Sequence, residues 1–340
     1  MTGTAMSNRI LCDFRSDTLT TPCAGMRAAM ADAEVGDDVY GEDPTVLRLQ
    51  DQLAERLGKD AALFFASGTQ SNLAGMLAHC GRGEEIIVGA PYHTYVYEAA
   101  GASVLGGIAL YPVPVADGRH ITPDTIRAAV KEDDNHHAIS RLLACENTVS
   151  GRAIPLETIR QSTDTARTHG LNCHLDGARF FNAVVALDID PAALAAPFDT
   201  VSICLSKGLG TPVGSVLVGN RDLIAKAHRL RKMLGGGMRQ AGVLAAAGIY
   251  ALAHNIDRLA EDHARAHDLA TFLRNHNAGE VVQDTNMVFL RGAPDEMLDD
   301  KMRRCGIEIG GPYDIRRLVL HKDIDDSALS AAKKAFAEHL

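Results

Sequence analysis

Tryptophan is absent from this 340-residue chain, and aromatic residues make up only 5% of it. So few flat faces leave little with which to stack nucleobases along a strand. Positive charge is also in deficit, 34 Lys and Arg against 43 Asp and Glu, for a formal net charge of −9. That balance works against a general polyanion-binding surface, so neither nucleic acid nor an anionic membrane is an expected partner. No CxxC pair occurs among the cysteines Cys12, Cys23, Cys80, Cys145, Cys173, Cys204 and Cys305, which sit singly in stretches such as "LLACEN" and "SICLS". They read as small core residues in a reducing compartment rather than as a disulfide framework or a zinc site. No apolar run is long enough to span a bilayer, and "MTGTAMSNRILCDF" lacks the charged-then-apolar order of a secretion signal. A soluble cytoplasmic protein is the expectation.

What the chain does have is core material. Hydrophobic residues make up 46% of it, enough for a large domain with a smaller companion. Short β-leaning runs alternate with helical patterns: "AALFFAS", "EEIIVGA", "SRLLACEN", "LNCHLDGA", "TVSICLSK" and "GSVLVGN" are the strand candidates. "DPTVLRLQDQLAERLGK" is a helix with Asp43 as N-cap, Pro44 at its first position and Gly58 as its stop, and "TPDTIRAAVKED" and "PLETIRQSTDTARTHG" are two more. The alternation predicts an α/β fold whose mostly parallel sheet carries helices on both faces. From about Ile249 the pattern turns to long helix, with "NMVFLRG" and "IRRLVLH" as later strands, as in a smaller C-terminal α/β domain. The expected partition is a tail at 1–11, a large domain at 12–254 and a small one at 255–340.

Open α/β sheets bind ligands at the carboxyl ends of their strands. Those ends read Ser67-Gly68-Thr69, Glu146-Asn147, Asp176-Gly177-Ala178-Arg179 and Ser206-Lys207-Gly208. Each has a plainer explanation: Thr69 or Ser71 starting a helix, Asp176 paired internally with Arg179, Lys207 reaching solvent. Together they make a coherent set. A helix N-terminus with flanking hydroxyls suits a phosphate, a buried aspartate suits a protonated pyridine, and a desolvated lysine suits an aldehyde. That set is what pyridoxal 5'-phosphate requires.

The blocks "RSDTLTTP", "GDDVYGEDPTV", "SGTQSNL", "ENTVSGRAIP", "HLDGARFFNA", "SICLSKGLGTPVGS", "KMLGGGMRQAG" and "QDTNMVFL" follow one another through nearly the whole chain. In that order they resemble the low-specificity L-threonine aldolases, fold-type I pyridoxal-phosphate enzymes of the aspartate aminotransferase superfamily. The resemblance implies cleavage of L-threonine, L-allo-threonine and related β-hydroxy-α-amino acids to glycine and an aldehyde. It gives Lys207 the covalent Schiff-base link to the cofactor and Asp176 the pyridine nitrogen. Ser67, Gly68 and Thr69 receive the phosphate, His93 the ring face, and Arg179 the phenolic oxygen and the substrate carboxylate. Ser16 and Arg317 match further carboxylate contacts; the neighbouring Arg316 competes with Arg317, since strand alternation turns only one of them inward. His93 and His136 are the candidates for handling the β-hydroxyl proton, and Tyr97 for side-chain specificity. Arg229 and Lys232 are candidates to reach a neighbouring subunit of an implied homotetramer. The HxxxH of His263 and His267 reads as a solvated helix face, so no metal is expected.

Three other readings compete: a β-eliminating or serine hydroxymethyltransferase-like enzyme, a phenylserine or hydroxyaspartate aldolase, and a catalytically silent cofactor-binding subunit.

Overall fold

The aliphatic runs of the sequence become strands. In the computed structural model, which describes residues 10–292, 297–311 and 315–340, they are in chain order β1 (Cys12–Asp13), β2 (Ala61–Phe65), β3 (Glu84–Gly89), β4 (Ala109–Val113), β5 (Ile139–Glu146), β6 (Asn172–Gly177), β7 (Thr200–Cys204), β8 (Ser215–Gly219), β9 (Glu280–Asp284), β10 (Met287–Arg291), β11 (Ile307–Glu308) and β12 (Ile315–Val319). The described chain divides into two compact units, one of Pro22–Ile256 and one drawn from the chain up to Thr21 together with Asp257–Leu340.

The larger unit is built on one sheet of order β2-β8-β7-β6-β5-β3-β4. β8 runs antiparallel to β2 and β7, and every other pairing is parallel. The carboxyl ends of β2, β3, β5, β6 and β7 therefore share one edge. All residues of β7 and β8 are buried, as expected of strands covered on both faces. The helix Pro44–Arg56 forms as its sequence dictates: Asp43 Oδ1 accepts the N–H groups of Thr45 and Val46, each at 3.1 Å, and Pro44 opens the first turn. Asp43 also accepts the N–H of Gly242 at 2.8 Å, where a Cβ would lie 2.4 Å from Asp43 Oδ1. Glycine is required there by close approach.

The helical stretch after Ile249 is interrupted. Helices Gly242–His254 and Leu259–Asn275 are separated at Asn255, whose N–H closes the first on Ala251 O at 2.8 Å and whose Nδ2 donates to Leu209 O at 2.6 Å. The side-chain amide is spent on a loop carbonyl, and the chain leaves the larger unit there.

The smaller unit holds the antiparallel sheet β12-β10-β9 and a two-stranded parallel pair, β1 with β11. Residues 12–21 thus join this unit rather than the large domain in which the sequence partition put them. Hydrogen bonding is the reason: Phe14 N–H donates to Glu308 O and Phe14 O accepts from Val319 N–H, both at 2.8 Å. Phe14 then sits in a core with Leu269, Leu273, Val288, Leu318 and Phe336.

Gly177 marks where sheet packing meets the site. A Cβ there would lie 2.7 Å from the backbone oxygen of Ser202 on β7 and 3.1 Å from Phe180 Cβ. Gly177→Ala must push adjacent parallel strands apart, and overpacking of this kind destabilises by about 1–3 kcal/mol. A Tm several degrees below that of the parent, in thermal unfolding of the cofactor-free protein, is the expected result; an unchanged Tm would show that the strands yield freely.

Candidate active site

Three strand ends converge on one cleft. Next to the last residue of β6 is Asp176, 2% exposed, whose Oδ1 accepts the N–H of Ala178 at 3.0 Å. Its Oδ2 is buried and has no hydrogen-bond partner among the described residues, so the carboxylate is not used up internally. An orphaned buried oxygen of this kind calls for a donor from outside the chain. β7 ends at Cys204 and continues through Leu205, held by Gly214 O at 3.0 Å, to the half-buried Lys207. Gly210, at φ +77°, donates its N–H to Lys207 O at 2.8 Å, closing a turn that a β-carbon would strain. After β2, Ser67 caps the helix Gly68–His79 by accepting the N–H of Gln70 at 3.2 Å. The remaining first-turn amides and the positive helix end face the cleft, a setting suited to phosphate. The cleft is about 170 Å³, with Gly68, Thr69, His93, Asp176, Ser206 and Lys207 among its walls.

The electrostatics are dominated by buried carboxyls. Glu146, the last residue of β5, is paired in register with Asp176. Its Oε2 accepts the backbone N–H of His93 at 2.6 Å. Burial, reinforced by the Asp176 carboxylate, pushes the Glu146 carboxyl up to about 8. Glu98 is also buried, and burial raises its pKa against the hydrogen bonds of His93 and Asn72. His93 is raised chiefly by its hydrogen bond to Glu98, which outweighs the opposing effect of burial. With Glu146 and Glu98 both shifted toward their neutral forms, the Asp176 carboxylate with its unpartnered Oδ2 is the group that a protonated pyridine nitrogen would offset. One atom each of His93, Glu98 and Asp176 fall within 4.8 Å of one another, close enough to share a metal ion. Lys207 and the positive end of the helix oppose a cation there, and both favour an anionic aldehyde. The residues present therefore fit pyridoxal 5'-phosphate.

Residues 13–293 match the beta-eliminating lyase family. The chain is 49% identical over 320 residues to the low specificity L-threonine aldolase of Escherichia coli (strain K12), covering 94% of this chain and 96% of that one. It is 40% identical over 343 residues to low-specificity L-threonine aldolase 1 of Arabidopsis thaliana, covering 96% and 95%. This chain belongs to the low-specificity L-threonine aldolase family. Its fold agrees: the solved threonine aldolase of Leishmania major superposes with a TM-score of 0.80 at 21% identity, over 96% of this chain and 98% of that one.

Within this aldolase-family chain, the other expected site residues divide. Tyr97 is exposed beside His93, the ring centroids 5.6 Å apart and tilted by 42°. Arg179 is half-buried at the start of the helix Phe180–Leu187. His136 is not brought to this cleft. It lies on the loop before β5, exposed, with Nδ1 2.6 Å from Asp134 Oδ1. β5 runs from that loop to Glu146, so His136 stands at the opposite end of the strand from the cleft. Arg229 and Lys232 are exposed on the helix Arg221–Met233. The silent residue between them, Arg231, is buried: it pairs with Asp38 at 2.8 Å and donates to Phe64 O at 2.8 Å.

In the smaller unit, Arg316 is tied to Asp299, while Arg317 Nη2 donates to Arg15 O at 2.9 Å, next to Ser16. Alternation has separated the pair, and Arg317 is the one beside "RSDT". Among the described residues, no metal-binding group gathers at His263 and His267, and no helix is long and apolar enough to cross a membrane.

Proposed function

We propose that the chain is a pyridoxal 5'-phosphate-dependent lyase that breaks the Cα–Cβ bond of L-threonine, L-allo-threonine and related β-hydroxy-α-amino acids. Glycine and an aldehyde are the products. The observation that carries this reading is the unpartnered Oδ2 of Asp176 in the cleft that Lys207 also lines.

When bound, the cofactor supplies a conjugated electron sink for the pair released as the bond breaks. The chain's own groups hold and time that chemistry. Lys207 Nζ would hold the cofactor aldehyde, and its amine is the group that would hold a proton near Cα. The Asp176 carboxylate would keep the ring nitrogen protonated, and Ser67, Gly68 and Thr69 would hold the phosphate. Arg179 would take the substrate carboxylate, the guanidinium fork giving two parallel hydrogen bonds and fixing which bond at Cα breaks. His93, which lines the cleft, would take the ring face and the β-hydroxyl proton, an imidazole being suited to transfer near neutrality. Tyr97 borders the side-chain pocket. A cytoplasmic homotetramer, in which Arg229 and Lys232 reach a neighbouring subunit, completes the proposal on the strength of the family resemblance.

The test is an absorbance titration with glycine, then L-threonine and L-allo-threonine with aldehyde detection. A new long-wavelength band with glycine and acetaldehyde from either isomer is the expected result. Ammonia and keto acid from serine without acetaldehyde from threonine would replace the aldolase with a β-eliminating enzyme. A cofactor band indifferent to every ligand would leave a silent binder.

A further inference from the structure

Behind the cleft lies a buried row of polar groups that the reaction just described does not use. His79 Nε2 is 2.8 Å from Thr200 Oγ1, which is 2.8 Å from His174 Nδ1. His174 Nε2 is 3.2 Å from Asn72 Oδ1, Asn72 Nδ2 is 2.9 Å from Glu98 Oε1, and Glu98 Oε1 is 3.0 Å from His93 Nδ1. His79, His174, Asn72, Thr200 and Glu98 are all buried. Mixed hydrogen-bond roles in such a row are resolved by asking which assignment leaves no contact between two donors or two acceptors.

Only one direction satisfies every contact. A carboxylate can only accept, so the Asn72 amide turns Nδ2 toward Glu98 and leaves Oδ1 to accept from His174 Nε2–H. Burial holds His174 and His79 neutral, at about 3 and about 4. With its proton on Nε2, His174 has a bare Nδ1 that takes the Thr200 hydroxyl proton. Thr200 Oγ1, its single hydrogen committed, accepts from His79 Nε2–H. Every bond in the row donates toward Glu98, and His93 meets the same oxygen from the other side.

We propose that Glu98 is a positioning residue for His93: it ends a one-way chain of buried hydrogen bonds and so keeps the His93 proton on Nδ1, leaving Nε2 to accept one. The assignment rests on the functional reading above only for what Nε2 then does. Glu98 reaches His93 from the same loop. Glu146 from β5 holds its backbone, Asp176 from β6 and Lys207 beyond β7 bear on its charge, and Tyr97 flanks its ring. Of these, the hydrogen bond that His93 donates to Glu98 has the largest influence on the ring.

The experiment is ¹⁵N NMR of the holoenzyme labelled at histidine, with the His93 signals assigned by their loss in His93→Asn. In the parent, neutral His93 is expected to carry its proton on Nδ1 and to titrate above the ordinary value of about 6.5. In Glu98→Gln the midpoint should fall by about one pH unit. At neutral pH kcat/KM should fall roughly tenfold while the cofactor absorbance is retained. A proton on Nε2 of neutral His93 in the parent would overturn the proposal even if the variant failed to fold. So would an unmoved midpoint in Glu98→Gln. Absence of aldehyde release from every substrate would defeat the aldolase reading and leave this NMR result standing.

Discussion

Lys207→Ala is expected to reduce aldehyde release from L-threonine by roughly a thousandfold or more, the scale on which enzymes lose a covalent partner. On the proposed reading, two functions leave with the amine: the covalent hold on the cofactor and the proton held near Cα. The fold should not follow. Hydrogen bonds from Leu205 to Gly214 and from Gly210 to Lys207 use main-chain groups that alanine keeps, and the side chain is only half-buried. The cofactor-free variant should therefore unfold within about 0.5 kcal/mol of the parent, while its cofactor becomes removable by dialysis. Absorbance before and after dialysis, with a coupled aldehyde assay, checks both halves. Near-parental turnover would move the covalent site elsewhere.

Asp176→Asn should cost about 3–4 kcal/mol of transition-state stabilisation, or 10²–10³ in kcat, as removing one preorganised electrostatic partner does in a water-excluded site. Asparagine is nearly isosteric and its carbonyl oxygen can still accept the Ala178 N–H, so the end of β6 keeps its shape. What goes is the charge that holds a proton on the pyridine nitrogen. A second effect follows from the register of β5 and β6. The Asp176 carboxylate is one of the two influences that push Glu146 up to about 8, burial being the larger. Removing it lowers the Glu146 pKa, so that carboxyl is ionised over more of the neutral range in the variant. A carboxyl raised on folding gives stability that is fully present below its unfolded pKa and is lost as pH rises through its folded one. The loss due to Glu146 lies between its ordinary value and about 8 in the cofactor-free parent, and it should shrink in the variant. Denaturant unfolding at several pH values across that window checks the sign.

The strands of the large sheet were legible where aliphatic and β-branched residues run together, as in "TVSICLSK" and "GSVLVGN". β4, "ALYPV", escapes that reading because it contains a proline and only Val113 is buried. β9, "EVVQD", has no buried residue at all. Chemistry placed at strand ends was legible for the same reason: Asp176 and Lys207 stand out as charges closing apolar runs. Glu146 was visible as a strand end, but its importance depends on which residue β6 sets beside it, and register is not written in either strand alone. Glu98 left no signal, since it lies off the strands in "YEAAG" and acts on Asn72 and His93 across the fold. His136 shows the converse: it belongs to a polar stretch that matches the family pattern, yet strand direction carries it away from its own chain's cleft.

The pairing of β1 with β11 has a consequence for the order in which the molecule is made. A ribosome releases the whole of Pro22–Ile256, sheet and lysine included, before it has translated the strand that Cys12–Asp13 must join. Ser16 emerges long before Arg317, yet Arg317 hydrogen-bonds the residue next to Ser16. The nascent chain thus holds every residue lining the cleft well before both halves of the smaller unit exist, and the strand Cys12–Asp13 must wait for its partner.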